Sequence, residues 1–321
     1  METPYSNGLQ RLVARCCGLW SYRLAADNLQ ELCGIHLSHT TIGELAVQTA
    51  GKIAERLQNN PDIRKDFQQA KGEIEFYADG TFVHLRNDEG AAEWKEMRVG
   101  AWAKRPRGKR ALPSEWRTRI LPEPTVVAAF AAIADKEEFQ QLCQSLRRCF
   151  GVGGVHSTLG DGAKWLWNVS REVFGKTDEC LDIYHGAEHI SDCGKVVFGE
   201  TQAATDWFER MRLVLLEEGF SGMERELSLL LSGSLKEKQR ESVESLLEYL
   251  RNNEGRLHYA ERLAKGRVIG SGLIEGACKN LVGRRLKQTG ACWRLARANR
   301  IATISAVLYS NQWKLCWKRT N

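Results

Sequence analysis

The amino-acid sequence predicts an α/β protein: a mixed sheet with helices, interrupted by an all-helical insertion and preceded by a helical N-terminal region. Three observations lead to this fold class. Residues 73–85 alternate polar and apolar side chains, as a half-buried strand does. Strand-like and helix-like segments then follow one another to about residue 185, which is the order of an α/β sheet. Residues 187–258 show helical periodicity alone.

The N-terminal region, residues 1–70, has the outline of a helix-turn-helix. Apolar residues from Ala25 to Leu32 recur at helical spacing, Gly34 interrupts them, and Ser38 offers an N-cap for a second helix. The segment from Ser38 is then the candidate recognition helix of a DNA-binding region. An ordinary helical hairpin shows the same spacing, so the pattern leaves both interpretations open.

The elements of residues 71–195 form the first part of the predicted sheet. Apolar alternation predicts strands at 73–85, 93–103 and 125–134, with a turn at 87–90 after the first and a basic loop at 105–113 before the third. A helix is predicted at 136–150, a short strand ending at Asp161, a helix over 165–174 and a last strand at 180–185. We predict a helical insertion at 196–262 and C-terminal helices carrying Glu275 at 263–321.

Positive charge is concentrated in two segments of the 321-residue chain. Residues 255–321 hold fourteen Lys or Arg against two Glu, a net +12, which leaves −6 for the rest of a chain whose total is +6. Residues 95–119 hold nine basic residues against two Glu. Such segments are typical of proteins that bind a polyanion, although solvated surfaces also carry charge.

Composition argues against secreted and membrane-spanning classes. No basic and then apolar signal follows Met1, and no apolar run approaches the roughly 18 residues that a membrane span needs. The ten cysteines form no C-x-x-C pair, so we expect reduced, mostly buried thiols, with a zinc site or a redox pair as alternatives. We therefore expect a cytoplasmic protein without a membrane partner.

Asp79, Asp161 and Glu275 are the candidate catalytic carboxylates. Phosphodiester cleavage by two Mg²⁺ ions needs oxygen ligands gathered at one point, and two aspartates at strands with a glutamate on a later helix could supply them. Each has an ordinary alternative. Asp79-Gly80 and Asp161-Gly162 are also turn dipeptides, and Glu275 could pair with Lys279 one helical turn later.

The chain resembles the ISKra family of bacterial insertion-sequence transposases, which are DDE enzymes related to the mutator-like transposases. The resemblance extends over about residues 73–310. It is carried by five blocks in the same order: Tyr77-Ala78-Asp79-Gly80, residues 93–100 (EWKEMRVG), residues 159–168 (LGDGAKWLWN), residues 181–189 (LDIYHGAEH), and residues 269–287 with Trp293.

The resemblance implies a ribonuclease-H-like core split by the helical insertion. It also implies that Asp79, Asp161 and Glu275 bind two Mg²⁺ ions, with Mn²⁺ as an alternative. Asp182 and His185 resemble an element that places a histidine beside the scissile phosphate, although a lone histidine is equally compatible with a structural role.

The expected activity is cleavage at the element ends and strand transfer into target DNA. The expected partner is double-stranded DNA, at the terminal repeats and the target, bound by a homodimer or larger assembly at the bacterial nucleoid. Four basic residues near Glu275 are the candidate phosphate contacts: Lys279, Arg284, Arg285 and Lys287. Two alternatives are a ribonuclease-H-like nuclease or resolvase without strand transfer, and a non-catalytic DNA-binding protein derived from a transposase.

Overall fold

Five strands and fourteen α-helices form within residues 4–87 and 89–318, which the computed structural model describes. The strands are β1 (Glu73–Arg86), β2 (Ala92–Arg105), β3 (Val126–Ile133), β4 (Ser157–Gly160) and β5 (Asp178–Leu181). The helices up to the third strand are α1 (Asn7–Leu19), α2 (Tyr22–Cys33), α3 (His39–Asn59) and α4 (Pro61–Gln69). Those after it are α5 (Lys136–Phe150), α6 (Lys164–Phe174), α7 (Ile183–Phe198), α8 (Gln202–Leu231), α9 (Glu237–Asn252), α10 (Tyr259–Ala264), α11 (Gly272–Ala277), α12 (Arg284–Leu286), α13 (Leu295–Tyr309) and α14 (Trp313–Trp317).

The strands form one mixed sheet in the order β3-β2-β1-β4-β5. β2 and β3 run antiparallel with Met97 opposite Ile133, whereas β4 and β5 run parallel with Ser157 opposite Asp178. A parallel pair needs a crossover connection, and α6 supplies it. The α/β class with a mixed sheet is therefore confirmed.

The predicted last strand, residues 180–185, is only partly right. β5 ends at Leu181, because the carboxylate of Asp182 accepts the backbone N–H of Tyr184 at 2.8 Å and so caps α7. Tyr184 and His185 therefore belong to a helix, where the prediction had a strand. The turn predicted at 87–90 includes Asp88, which lies outside the described residues, as do residues 319–321 of the last predicted segment.

Contacts divide the chain into two compact units. The first unit contains Met1–Lys104, Thr125–Gly154 and Gly272–Asn321, and the second contains Arg105–Pro124 and Val155–Ser271. The domain boundaries drawn from the sequence, after residues 70, 195 and 262, stay predictions.

Helix α2 ends and helix α3 begins at the residues that the sequence indicated. Gly34 ends α2 in the left-handed conformation at φ 64°, and the Ser38 side chain caps α3 by accepting the N–H of Thr41 at 3.1 Å. The two helices pack against each other. The predicted helical outline is thus confirmed. That this region binds DNA through α3 stays a prediction.

The core of the first unit lies between its helices and the long strands. Helix α13 packs on β3, on α3 and on α1. Trp102 of β2 is completely buried and stacks on Phe130 of β3 with ring centroids 4.8 Å apart. Large aromatic side chains contribute much of the apolar area that a core removes from water, so this cluster anchors the strands.

The second unit contains β4, β5 and the long helical stretch that the sequence predicted after the sheet. Helices α7, α8 and α9 pack on one another, and Leu159, Cys180 and Leu181 of the two strands are fully buried. Helix α8 bends at Gly219, whose φ is 61°. A Cβ atom there would lie 2.7 Å from the carbonyl oxygen of Leu257, so both the conformation and the space favour glycine.

The cysteines agree with the expectation of free, mostly buried thiols. All ten cysteines are free, and six of them are buried: Cys16, Cys17, Cys143, Cys180, Cys193 and Cys316. Within the described ranges, no helix combines the length and the apolar character that crossing a membrane requires.

A cluster of charged side chains around Asp178 joins β5 to the end of the second unit. Its carboxylate lies 2.6 Å from His258 Nε2, 2.6 Å from Arg262 Nη1 and 2.8 Å from Arg267 Nη1. Arg262 is 1% exposed, so its charge depends on this partner. Burial alone raises the pKa of Asp178, but the hydrogen bond from His258 and the two arginine charges outweigh it, and the pKa lies below its ordinary value.

Asp178→Asn should lower the free energy of unfolding by about 3 kcal/mol at neutral pH, because it leaves the buried Arg262 charge without a counter-ion. A carboxyl group with a lowered pKa stabilises the fold above its unfolded-state pKa of about 3.9, and this contribution is lost as the pH falls through the folded-state pKa. Urea unfolding from pH 7 to pH 3 should show the difference between the two proteins shrinking below about pH 4.

Asp192→Asn is the matched control, because Asp192 makes only an exposed ion pair with Lys195. It should change the free energy of unfolding by less than about 1 kcal/mol. A loss for Asp178→Asn no larger than this would contradict the dependence of Arg262 on Asp178.

Candidate functional site

Asp79 lies within β1, in the first unit. Tyr77 and Ala78 before it are buried, and Asp79 itself is partly exposed. The strand continues through Gly80, so the alternative interpretation of Asp79-Gly80 as a turn is wrong. Asp79 Oδ1 accepts the N–H of Gly80 at 2.6 Å. The strand thus presents the Asp79 carboxylate at a partly solvated position.

Glu275 and Asp79 approach the same thiol, that of Cys278. Glu275 is exposed on α11, which packs on β1, and a π-helical segment, Cys278–Gly283, continues this helix. The Cys278 thiol donates to Asp79 Oδ2 with a sulfur–oxygen distance of 3.6 Å. Burial raises the pKa of Cys278 strongly, and the negative charges of Asp79 and Glu275 raise it further. The first unit therefore brings two of the three predicted ligands into one neighbourhood.

Lys287 places a positive charge beside these carboxylates. Its Nζ donates to the hydroxyl of Thr81 at 2.9 Å, and Thr81 stands two residues after Asp79, on the same face of β1. The ammonium also lowers the pKa of Cys278, opposing the two carboxylates. Lys287 was predicted as a phosphate contact, and its position adds electrostatic stabilisation of Asp79.

The other three predicted DNA contacts differ in exposure. Lys279 and Arg284 are exposed and accessible to a phosphate. Arg285 is 3% exposed, and its Nε donates to the carbonyl of Cys17 at 2.8 Å. Its guanidinium carbon lies 4.9 Å from the ring centroid of Tyr22 and 4.6 Å from that of Trp293. These contacts give Arg285 a structural role in place of the predicted contact with DNA.

Asp161 directly follows β4 in the second unit and is partly exposed, as predicted for a strand end. Its Oδ1 accepts the N–H of Ala163 at 2.9 Å, so the turn interpretation also holds for this carboxylate. Gly162 has a φ of 97°, and a Cβ atom there would lie 3.0 Å from Leu181 Cδ1. The chain turns sharply here into α6 while the carboxylate keeps contact with solvent.

Tyr249 of α9 is the neighbour that Asp161 and Asp182 share. The phenol donates to the backbone carbonyl of Asp161 at 3.2 Å. Burial raises the pKa of Tyr249 strongly, and the charges of Asp161 and Asp182 raise it further. The phenol therefore stays a neutral hydrogen-bond donor at physiological pH. Sequence reasoning missed Tyr249, which no local motif marks, and gave no role to Cys278, although it lies within the block of residues 269–287.

Asp182 and His185 occupy different environments. Asp182 is fully buried, and its two carboxylate oxygens accept the N–H of Tyr184 and the hydroxyl of Ser271. It thereby ties the start of α7 to the loop that precedes α11. His185 lies on α7 with a side chain 40% exposed, and its Nδ1 is 3.7 Å from a carboxylate oxygen of Glu188. Of the two, only His185 is positioned to meet a ligand from solvent.

Within residues 4–87 and 89–318, no group of three His, Cys, Asp or Glu residues is gathered closely enough to hold a metal ion. The three predicted ligands are divided between the units, with Asp79 and Glu275 in the first and Asp161 in the second. Their donor atoms are carboxylate oxygens with access to solvent, which is the chemistry that Mg²⁺ prefers.

No protein-family model matches the chain, and no curated protein is significantly similar to it. The assignment of a function therefore depends on the motifs and on the positions of the side chains.

Replacing both Asp79 with Asn and Glu275 with Gln should speed the alkylation of Cys278 a few-fold at about pH 8.5. Removing two negative charges lowers the pKa of this thiol, and the thiolate is the reactive form. The gain stays modest because burial, the larger cause, remains. Site-resolved mass spectrometry after iodoacetamide treatment measures the rate, with the exposed Cys33 as internal reference.

Asp62→Asn is the matched control, since this carboxylate belongs to the first unit and pairs with Lys318 on the surface. It should leave the rate at Cys278 unchanged. Equal rates in the double variant and the unaltered protein would show that Asp79 and Glu275 do not act on the thiol.

Proposed function

We propose that this protein is a DDE transposase that cleaves DNA at the ends of a bacterial insertion sequence and transfers the ends to target DNA. One observation supports the proposal beyond the motif resemblance: α11, which carries Glu275, packs on β1, and the thiol of Cys278, three residues after Glu275, donates to the Asp79 carboxylate. Asp161, the third member, is partly exposed where β4 ends.

Asp79, Asp161 and Glu275 are the residues that would hold two Mg²⁺ ions, or Mn²⁺ in their place. When bound, the ions stabilise charge on the scissile phosphate and activate an oxygen nucleophile. The fold of the catalytic region is proposed to be ribonuclease-H-like, which is compatible with a mixed sheet whose β1 carries Asp79 and whose β4 precedes Asp161.

The remaining residues of the proposed site neutralise its negative charge, contact DNA or position other side chains. Lys287 offsets the negative charge near Asp79, and the exposed Lys279 and Arg284 meet DNA phosphates. Asp182 positions the start of α7 from its buried site, which fixes the helix that carries His185. We propose His185 as the side chain beside the scissile phosphate.

The partner of the proposed enzyme is double-stranded DNA, at the terminal repeats and at the target. Joining two element ends requires two active sites, so a homodimer or larger assembly on DNA belongs to the proposal, as does a location at the bacterial nucleoid. The alternatives are a nuclease or resolvase without strand transfer, and a DNA-binding protein without catalysis. Reaction products separate all three.

Asp161→Asn should reduce DNA cleavage by at least about a thousand-fold while leaving DNA binding unchanged. The substitution removes one ligand charge but keeps the side-chain shape and the turn at Ala163. The substrate is a supercoiled plasmid that carries the gene of this chain with its flanking DNA, incubated with Mg²⁺. Gel electrophoresis measures nicked, linear and joined products.

Asp192→Asn removes an exposed carboxylate of the same unit and should cleave like the unaltered protein. Joined products from the unaltered protein support the transposase, and cleavage without joining favours the nuclease. Unchanged cleavage by Asp161→Asn would remove the metal-site proposal. Binding without cleavage by the unaltered protein in Mg²⁺ or Mn²⁺ would favour the non-catalytic alternative.

A further inference from the structure

A cleft of about 990 Å³ opens on the first unit, and Asp79, Glu275, Lys279, Arg284 and Lys287 are not among the residues that line it. It is bounded by the start of α2, the end of β1 and the segment that leads into α13. We call it the arginine cleft, and its charged walls are formed by Arg23, Arg86, Arg294 and Arg297.

All four of these arginines are exposed, and the side chains that line the cleft include no Asp or Glu. Within the described residues, none of the four forms an ion pair with a carboxylate. Elsewhere on the surface some exposed arginines are paired, such as Arg210 with Glu226 and Arg225 with Glu218. The cleft therefore concentrates positive charge that no group of the described protein neutralises.

Hydrogen bonds and ring contacts join the walls of the cleft. Arg285, already enclosed by Tyr22 and Trp293, forms part of the floor. The Arg86 N–H donates to the Trp293 carbonyl at 2.7 Å, and the Trp293 N–H donates to the His84 carbonyl at 3.0 Å. These bonds attach the segment before α13 to the end of β1. The backbone segments that carry Arg86 and Arg294 are therefore joined directly.

Like charges held in one concave site repel each other, and a polyanion relieves that repulsion. Guanidinium groups bind phosphate in a bidentate manner and are more weakly hydrated than ammonium groups, so arginine suits phosphate recognition. Helices α2 and α13 also begin at the cleft without an acidic residue in the first turn, which adds to the positive potential. The electrostatics therefore fit a chain of phosphates.

We propose that the arginine cleft binds the phosphodiester backbone of duplex DNA, as a contact surface additional to Lys279 and Arg284. The choice of DNA among polyanions rests on the proposed function. His39, the first residue of α3, also lines the cleft. A duplex held here would lie at the start of the candidate recognition helix, the end from which such helices contact base edges.

The shape of the site favours a nucleic-acid backbone over a single phosphate ion or a lipid surface. The four arginines come from three separate elements around a cleft of about 990 Å³, which is far larger than one phosphate ion. A lipid surface is flat and reaches only the rim of a concave site. A polymer of phosphates can follow the cleft and meet each arginine in turn.

The first test replaces Arg23, Arg86, Arg294 and Arg297 with Gln together and measures binding to a fluorescent duplex of about 30 base pairs. Titrations run in EDTA at several salt concentrations. Each lost phosphate contact reduces the slope of log affinity against log salt by about 0.9, so the slope should fall by roughly three to four. Affinity at about 0.1 M salt should fall at least about 100-fold.

A charge-matched control separates the cleft from total charge. It replaces with Gln four exposed basic residues of the first unit that lie outside the cleft, namely Arg11, Lys65, Lys71 and Arg300. Equal losses in the two variants would show a nonspecific charge effect and overturn the proposal. So would an unchanged salt slope in the cleft variant.

Further probes distinguish the polyanion. Single-stranded DNA, duplex RNA, inorganic phosphate and phosphatidylserine vesicles are titrated in the same way. The proposal expects duplex DNA to bind most tightly and to lose most in the cleft variant. It is overturned if the variant loses binding to RNA or to vesicles while its affinity for duplex DNA is unchanged.

A second measurement uses the unaltered protein, so it does not depend on whether the variant folds. Cys292 lines the cleft, whereas Cys33 is exposed elsewhere in the same unit. Saturating duplex DNA should slow the alkylation of Cys292 at least about five-fold and leave the rate at Cys33 unchanged. An unchanged rate at Cys292 would overturn the proposal.

Failure of this inference and failure of the proposed function give different results. Binding here is measured without a divalent metal, so it does not depend on catalysis. If the arginines govern binding and no DNA is cleaved, the cleft stands and the transposase proposal fails. If DNA is cleaved and joined while the cleft variant binds normally, the transposase proposal stands and the cleft fails.

Discussion

The guanidinium of Arg285 is buried where four segments of the first unit meet. It donates to the end of α1, lies between the rings of Tyr22 on α2 and Trp293, and sits on the short helix that follows the π-helical segment. Trp293 in turn donates through its indole to Leu286 and through its backbone to β1. A buried charge without these partners would be strongly destabilising. Tyr22, Arg285 and Trp293 all line the arginine cleft, so its shape depends on this arrangement.

Both units place a neutral donor beside their acidic groups. Cys278 donates to Asp79 in the first unit, and Tyr249 donates to the backbone of Asp161 in the second. Burial and the nearby carboxylates raise both pKa values, so each donor keeps its proton at physiological pH. The thiol donates to the Asp79 carboxylate itself, whereas the phenol donates to the backbone carbonyl of Asp161 and leaves that carboxylate to the N–H of Ala163.

The features that could be predicted from the sequence are those with local causes. The alternation of polar and apolar residues predicts β1. Gly34 marks the end of α2 and Ser38 the start of α3, because each of these signals lies within a few residues. The burial of Arg285 depends on its contacts with Cys17 and Trp293, and the environment of Asp161 depends on Tyr249. All of these contacts join segments that are distant in the sequence. The periodicity of apolar residues contains no information about contacts between distant segments. The end of β5 was also misplaced, because Asp182 turns the chain by capping a helix that an apolar run had concealed.

The segmented composition of the first unit determines when it can fold during synthesis. Its parts are separated by residues 105–124 and 155–271, and its core requires α13 to cover α1, α3 and β3. The ribosome therefore releases α1 and α3 long before their partner helix exists, with apolar faces that only α13 covers later. The second unit is nearly complete once residue 271 has emerged. A nascent chain stopped there would keep the inserted segment folded and expose unfinished surfaces of the first unit to chaperones and proteases.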